Sequence, residues 1–277
     1  MSSSLAEVEE LEIRLLLQAI AARYGFRFEG YAESSMRRRV RAALARSGLS
    51  HLGELQHKLL TDPLCFAAVL DDLTVRVSDL FRDPNFYRAL REHLSSLLRT
   101  YPMLKIWLAG CASGEEAYSM AILLRELDLY DRAQIYATDM SPTALALARE
   151  GVYAEQRMPT FAANYRESGG QRSLEEYFSR AYGRVAVREE LRKNIVFFQH
   201  DLTVDYGLGE MQLVFCRNVL IYLGKELRAR ALSTFSDCLT PGGFLCLGMS
   251  EGLPPSDTAL PFSEFVPRAR IYRRCTP

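Results

Sequence analysis

Two spacing rules divide the chain. From about residue 8 to residue 75 apolar side chains recur at helical intervals, and no strand pattern interrupts them. In LEIRLLLQAIAARYG, Leu11, Leu15, Ile20 and Ala22 lie near helical spacing and Gly25 supplies the stop. In AESSMRRRVRAALARSGLS, Met36, Val40, Ala43 and Leu44 share a face, and Gly48 closes the helix. HLGELQHKLL and CFAAVLDDL predict two further short helices. From Leu104 the pattern changes. LKIWLAG is a short apolar run ending in glycine, followed by the helical EEAYSMAILLREL. AQIYATD precedes SPTALALAREGVY, and NIVFFQHD, MQLVFCRNVLIYL and GGFLCLGMSE repeat the theme. Strands alternating with helices predict a parallel sheet covered on both faces. SEFVPRA and ARIYRR predict an antiparallel edge hairpin. Between the second and third strands lies an insert, residues 151–193, whose YFSRAYGRVAVREEL reads as a short hairpin turning at Gly183. The expected divisions are a helical domain over 1–75, a linker and helix over 76–103, and an α/β domain over 104–277.

Composition narrows the classes. Lys+Arg and Asp+Glu both number 34, so no global field draws the molecule to nucleic acid, and any electrostatic partner must meet a local patch. The six cysteines contain no CxxC pair, and Cys216 and Cys246 sit inside apolar runs, which argues against disulfides and a zinc site. No stretch reaches 18 apolar residues, and the polar, acidic MSSSLAEVEELE does not read as a signal peptide. The expectation is a cytoplasmic protein with no membrane insertion and no bound metal.

Candidate chemistry gathers at the strand ends, where open α/β sheets bind ligands. The first strand ends LAGCASGEEAYS. Gly110 and Gly114 let backbone approach a ligand, and the next helix presents its N-terminus. The pattern is not GxGxxG, so a nicotinamide-dependent oxidoreductase fits poorly. Asp139 ends the second strand, where a carboxylate can accept both ribose hydroxyls of a nucleoside. It can equally start a helix with Ser141 and Pro142. Glu116 stands in an S-x-x-E capping box with Ser113, a role compatible with ligand contact because a carboxylate has two oxygens. The third and fourth strands end in His200-Asp201-Leu202 and in Arg217-Asn218. Asp201 can meet an adenine edge, whereas His200 reads as a surface or cap residue. A buried strand should not end on Arg217 and Asn218 unless both find partners. Tyr222 offers a phenol near the same cleft or is a half-buried amphipathic tyrosine. In TVRVSDLFRDPNFY, Arg76, Ser78 and Arg82 alternate and can face one side. Arg82 can also serve as an ion pair capping the next helix.

The ordered set SDLFR, LAGCASGEEAYS, ATDMSP, FCRNVLIYL and GGFL…GMSE resembles the CheR-type chemotaxis methyltransferases, S-adenosylmethionine-dependent enzymes that esterify glutamate side chains on chemoreceptors. The resemblance spans nearly the whole chain. It implies a Rossmann-like class I methyltransferase sheet, mostly parallel with an antiparallel final hairpin, plus a small helical N-terminal domain and a small β-hairpin insert. It carries cofactor contacts onto Arg76, Ser78, Arg82, Glu116, Asp139, Asp201, Leu202, Arg217 and Asn218, beside the turn at Gly110. S-adenosylmethionine is the implied cofactor and S-adenosylhomocysteine its product. Where the family segment reads N-x-T-x-x-F-R, this chain has Arg76, Ser78, Phe81 and Arg82. Asp201 stands where the family has Asn, and GEEAYS replaces GEEPYS.

A glutamate carboxylate is already ionised at neutral pH, with a reference pKa of about 4.3, so methyl transfer to it needs no general base. Positioning is then the enzyme's main task. The resemblance and this chemistry together make Arg82 the candidate for orienting the carboxylate and Tyr222 a hydrogen-bond donor to it. The implied partner is the cytoplasmic helical region of a chemoreceptor. Residues 31–46 carry Arg37, Arg38, Arg39, Arg41 and Arg46 against one Glu33, a cationic ridge on which Arg37, Arg38 and Arg41 are the expected docking residues. A solvated helix face and RNA contact are the other readings of that ridge. Some members of the family dock a receptor's C-terminal tether by adding a strand to the insert. The turn between Arg180 and Arg184 is short here, so a tether-independent enzyme is expected. The alternative is that Arg184–Arg188 remains an edge strand free to pair. A monomer is expected. The competing functions are a methyltransferase acting on another signalling protein and a non-catalytic nucleotide-binding regulator.

Overall fold

A computed structural model describes residues 5–74, 78–253 and 260–275. The expectation for Arg76 lies outside the described residues. The chain forms two compact units: Met1–Val75 with Ile221–Ala229, and Arg76–Leu220 with Arg230–Pro277.

The first unit contains α1 (Leu5–Tyr24), α2 (Glu33–Ser47), α3 (Leu52–Thr61) and α4 (Pro63–Leu73). The face of α1 differs from the one expected. Leu11 and Leu15 are exposed, and Ile13, Leu16 and Ile20 are buried. Steps of three and four residues keep side chains on one stripe, whereas the five-residue step from Leu15 to Ile20 carries them off it. Helix α2 buries Met36, Val40 and Ala43 as its spacing predicts, but also Arg39. Gly48 closes it at φ 69°. Asp62 caps α4 by accepting from the Leu64 amide at 2.9 Å. The segment Ile221–Ala229 is bound to this unit by backbone hydrogen bonds from Ala32 to the Tyr222 carbonyl (2.9 Å) and from Gly224 to the Gly30 carbonyl (2.6 Å). A side chain at Gly224 would collide with that Gly30 carbonyl, so glycine is required there.

The second unit begins with α5 (Pro84–Ala89), a π-helical turn over Leu90–Leu94 and α6 (Ser95–Leu98). There follow β1 (Leu104–Ala109), α7 (Glu115–Glu126), β2 (Ala133–Asp139) and α8 (Pro142–Glu150). The insert holds β3 (Val152–Ala154), α9 (Met158–Glu167), β4 (Phe178–Ala181) and β5 (Arg184–Val187). Then come β6 (Ile195–Gln199), β7 (Met211–Cys216), α10 (Lys225–Cys238), whose residues 225–229 belong to the first unit, β8 (Leu239–Leu247), β9 (Phe262–Val266) and β10 (Ile271–Arg274). The main sheet has the order β6-β2-β1-β7-β8-β10-β9. Its first five strands are parallel, and β10 is antiparallel to both neighbours. The strand order reverses between β1 and β7, with Ile106 paired to Ile135 on one side and Leu213 on the other. Both strands are apolar almost throughout, as burial on two faces requires. This is the expected doubly wound sheet with an antiparallel final hairpin.

The insert is larger than a hairpin. Its strands form a second sheet in the order β3-β5-β4. The hairpin turns through Tyr182 and Gly183 at φ 51° and 69°. Strand β5 is central, because Val152–Ala154 pairs along one side of it and Phe178–Ala181 along the other. The reading of Arg184–Arg188 as a free edge is therefore corrected. Gly151, at φ 61°, ends α8 and redirects the chain, so the GVY that reads as a helix tail leaves as a strand. Among the described residues no helix is long and apolar enough to cross a membrane.

Candidate functional site

The loop after β1 is folded against the end of β2. The amides of Gly110 and Cys111 both donate to the Thr138 carbonyl, at 2.8 and 2.9 Å. The Ala112 amide donates to Asp139 Oδ2 at 2.9 Å. Gly110 (φ 81°) and Gly114 (φ 89°) occupy left-handed backbone, and a side chain at Gly110 would collide with Val219. The second Asp139 oxygen accepts from the Ser141 amide at 2.9 Å. Ser141 itself caps α8 through Ala144 at 3.1 Å. Asp139 is thus the brace between two loops, and the cap belongs to Ser141.

Glu116 does not form the capping box that its spacing allows. The Ser113 hydroxyl donates instead to Glu115, at 2.7 Å. Glu116 accepts from Arg217 at 2.7 Å, and Arg217 donates also to Asp83 at 2.8 Å and to the Arg82 carbonyl at 3.2 Å. The Arg217 side chain is 2% exposed, and its guanidinium lies 4.0 Å from the centre of the Phe86 ring. The charge at the end of β7 has therefore found its partners. Burial pushes the Glu116 carboxyl upward, and the charge and hydrogen bond of Arg217 oppose that rise, with a contribution from Arg82. Burial works against the charge on Arg217, and the carboxylates of Glu116 and Asp83 help outweigh it.

A second ion network holds the SDLFR segment. Arg157, from the insert, pairs with Glu115 at 2.7 Å and Asp79 at 2.9 Å, and donates to the Ser78 carbonyl. Glu115 is fully buried. The Phe81 amide donates to the Ser119 hydroxyl at 2.8 Å, and the Phe81 side chain is buried at φ 54°. Three anchors thus set the backbone on which half-buried Arg82 stands. Sequence reasoning missed Asp79, Asp83, Glu115 and Arg157, whose partners lie far away in the chain. The adjacent acids of SGEE were the only local sign.

Other expected residues fall in varied settings. Asp201 Oδ1 accepts from the amide and hydroxyl of Thr203, at 2.8 and 2.7 Å. It is brought beside Asp139 by the hydrogen bond from the His200 amide to the Asp139 carbonyl (3.1 Å). Leu202 is half-buried in the same turn. His200 is buried, not on the surface: its ring stands edge-on to Trp107 and its Nε2 lies 2.9 Å from the Tyr206 carbonyl oxygen. Asn218 adopts φ 61°. Its amide donates at 2.8 Å to Glu251, a buried carboxylate that the sequence reading did not single out.

In the helical unit, Tyr222 lies under Arg39, whose guanidinium is 4.2 Å from the ring centre and donates to the Leu73 carbonyl. The arginine ridge differs from expectation. Arg37 pairs with Glu10 at 3.2 Å, and Arg41 makes two 2.6 Å hydrogen bonds to Glu9. Arg46 pairs with Asp72, and Arg39 is buried. Among the described residues Arg38 is the one arginine of the five that is exposed without an ion pair. The acids of α1 and α4 supply the counter-charge that a single-helix count omits.

Comparison with known proteins matches residues 76–266 to the CheR methyltransferase SAM-binding domain and residues 11–74 to the CheR methyltransferase all-alpha domain. A protein of Pseudomonas putida named putative methyltransferase Cher3 is 44% identical over 96% of this chain and 97% of its own length. The chemotaxis protein methyltransferase of Listeria innocua is 33% identical over 83% of this chain and 86% of its own. Chemotaxis protein methyltransferase 1 of Pseudomonas aeruginosa is 33% identical over 78% and 80%.

Proposed function

Because the chain belongs to the CheR methyltransferase family and uses S-adenosylmethionine, we propose that it methylates glutamate side chains on the cytoplasmic helices of chemoreceptors, giving methyl esters. The observation that carries the reading is the one-third identity, over most of both chains, to proteins named chemotaxis protein methyltransferase.

The strand-end residues fit the cofactor. Gly110 and Gly114 hold the loop after β1 in left-handed backbone, where side chains would run into Val219 and into Ala148 and Tyr118, and Asp139 and Glu116 bring carboxylates beside that loop. Each carboxylate has about four acceptor positions, so the backbone and Arg217 bonds leave capacity for ribose hydroxyls and an ammonium group. Gly110, Glu116, Asp139, Asp201, Leu202 and Asn218 would hold it, with Ser78 and Arg82 from the braced segment. Arg217 takes part by holding Glu116, since its two terminal nitrogens are committed to Glu116 and Asp83. When bound, S-adenosylmethionine supplies an electrophilic methyl group on a sulfonium. The chain's task is to hold the glutamate oxygen in line behind that methyl and to limit its hydration. Arg82 orients the carboxylate through its planar fork. Because the acceptor would already be an ionised carboxylate, these residues would have no proton to hold or move during the transfer.

Docking rests on Arg38 and on contact with the methylated region itself. The two-residue turn of the insert and the central place of β5 support an enzyme that works without a tether. The test is transfer of tritiated methyl to receptor-containing membranes, with base-labile label as the sign of an ester. Arg82→Lys should fail to restore transfer, because lysine lacks the fork. Binding of S-adenosylhomocysteine without transfer would favour a non-catalytic regulator, and base-stable label would favour another acceptor.

A further inference from the structure

We propose that Glu251 is a positioning residue for the cofactor site, acting through Asn218 and Val219. The inference rests on the reading of these strand ends as the S-adenosylmethionine site. Glu251 follows β8 in a tight turn closed by its own amide, which donates to the Gly248 carbonyl at 2.9 Å. Its carboxylate turns back to collect three backbone donors. One oxygen accepts from the Gly248 and Asn218 amides, at 2.6 and 2.8 Å, and the other accepts from Val219 at 2.8 Å. Two of these donors belong to the loop after β7. The side chain therefore bridges the carboxyl ends of two adjacent parallel strands, paired up to Cys216 and Leu247.

The bridge decides where the neighbours stand. Asn218 is held at φ 61°, an arrangement that asparagine tolerates but that needs outside support. Val219 is held so that its side chain occupies the space a side chain at Gly110 would need. Through Val219 the clamp also reaches the loop after β1. Gly248 is required by the same clamp: a Cβ there would lie 2.6 Å from the Glu251 carboxylate, 2.7 Å from the Asn218 amide nitrogen and 2.9 Å from its side-chain nitrogen. Glu251 acts through the backbone and touches no reacting atom. Its work is to give the loops after β1, β7 and β8 one fixed relation.

Glutamine is not a conservative replacement here. Its amide nitrogen would face backbone donors that need an acceptor, leaving at least one buried N–H unpaired. Glu251→Gln should weaken S-adenosylhomocysteine binding about 10-fold or more by calorimetry, converting the cost of one unpaired buried donor to affinity. Gly248→Ala attacks the same clamp from its other side and should weaken binding in the same direction. A purely structural role would lower the denaturation midpoint and leave affinity untouched in the folded protein. The discriminating measurement is a double-mutant cycle with Asn218→Ala, in which the two losses should be far from additive. Wild-type affinity in folded Glu251→Gln, or strict additivity with Asn218→Ala, overturns the inference. Failure of the wild-type protein to bind S-adenosylhomocysteine would instead overturn the reading of the site.

Discussion

Replacing Arg217 by methionine tests the central feature of the site, a buried cation held between Glu116 and Asp83 at 2.7 and 2.8 Å. The substitution keeps an apolar stem beside Phe86 but removes every donor from two carboxylates. The Glu116 side chain is 13% exposed, so water cannot replace the lost partner, whereas Asp83, at 32%, is better hydrated. Breaking a buried pair from one side costs about 3–5 kcal/mol. The loss should depend on pH. Burial already raises the Glu116 carboxyl, and Arg217 is the main force holding it down. Without Arg217 it rises further, and the folded state then binds protons that the unfolded state has released. Stability therefore falls as pH climbs from the unfolded value, about 4.3, toward the folded one. The deficit of Arg217→Met against the parent should be smaller at pH 5 than at pH 8. Urea unfolding at each pH, followed by the fluorescence of Trp107, the single and fully buried tryptophan, gives the free energies. Adding Glu116→Gln to Arg217→Met should recover much of the loss at pH 8, because no buried charge then lacks its partner. A deficit independent of pH, together with no recovery in the double variant, would refute the reasoning.

Asp139→Ala removes the acceptor for the Ala112 and Ser141 amides as well as the proposed ribose contact. Affinity for S-adenosylhomocysteine should fall about 10-fold or more, the loss of a charged hydrogen bond worth about 1.5–3 kcal/mol, and unchanged calorimetric affinity would remove Asp139 from the site. Arg38→Glu should depress methyl transfer to receptor while leaving S-adenosylhomocysteine binding intact. Micromolar binding of a receptor C-terminal pentapeptide would contradict the tether-independent reading.

The parallel sheet was legible because its strands are near-continuous apolar runs separated by helical segments, a signal carried by neighbouring residues. The final hairpin and the hairpin of the insert were legible for the same reason, since Gly183 sits between two runs of strand spacing. Strand β3 was not. Three residues after a helix carry no measurable alternation, and only pairing with Val185 and its neighbours makes them a strand. The face of α1 was misread because LEIRLLL offers leucines on two sides, and tertiary packing chose Ile13 and Leu16. Gly110, Asp139 and Asn218 were legible as strand-end positions, because each ends or follows an apolar run. The partners of Glu116 were not, because Arg217 lies 101 residues away and Asp83 meets Arg217 across 134. Periodicity reports what a segment does with its own neighbours and carries nothing about such pairings.

The same limit explains the arginine helix. A ridge read from one segment counts five cations against Glu33, yet the whole chain carries 34 acids for its 34 bases. In a folded protein with that balance, a basic stripe meets acids unless they are segregated elsewhere. Here Glu9, Glu10 and Asp72 lie on elements packed with α2 and take up Arg41, Arg37 and Arg46. The exposed pairs are individually weak, about 0–1 kcal/mol. An incoming acidic helix can therefore compete for Arg37 and Arg41, but it must displace Glu10 and Glu9 to do so. Under the proposed docking role, a partner would gain from the ridge only if its own carboxylates match the spacing already used by α1. Reversing Glu9 and Glu10 to lysine should consequently cost little stability while raising the salt-sensitive affinity for an acidic receptor helix, because the competing carboxylates are gone; unchanged co-sedimentation with receptor-containing membranes at low salt would refute the exchange.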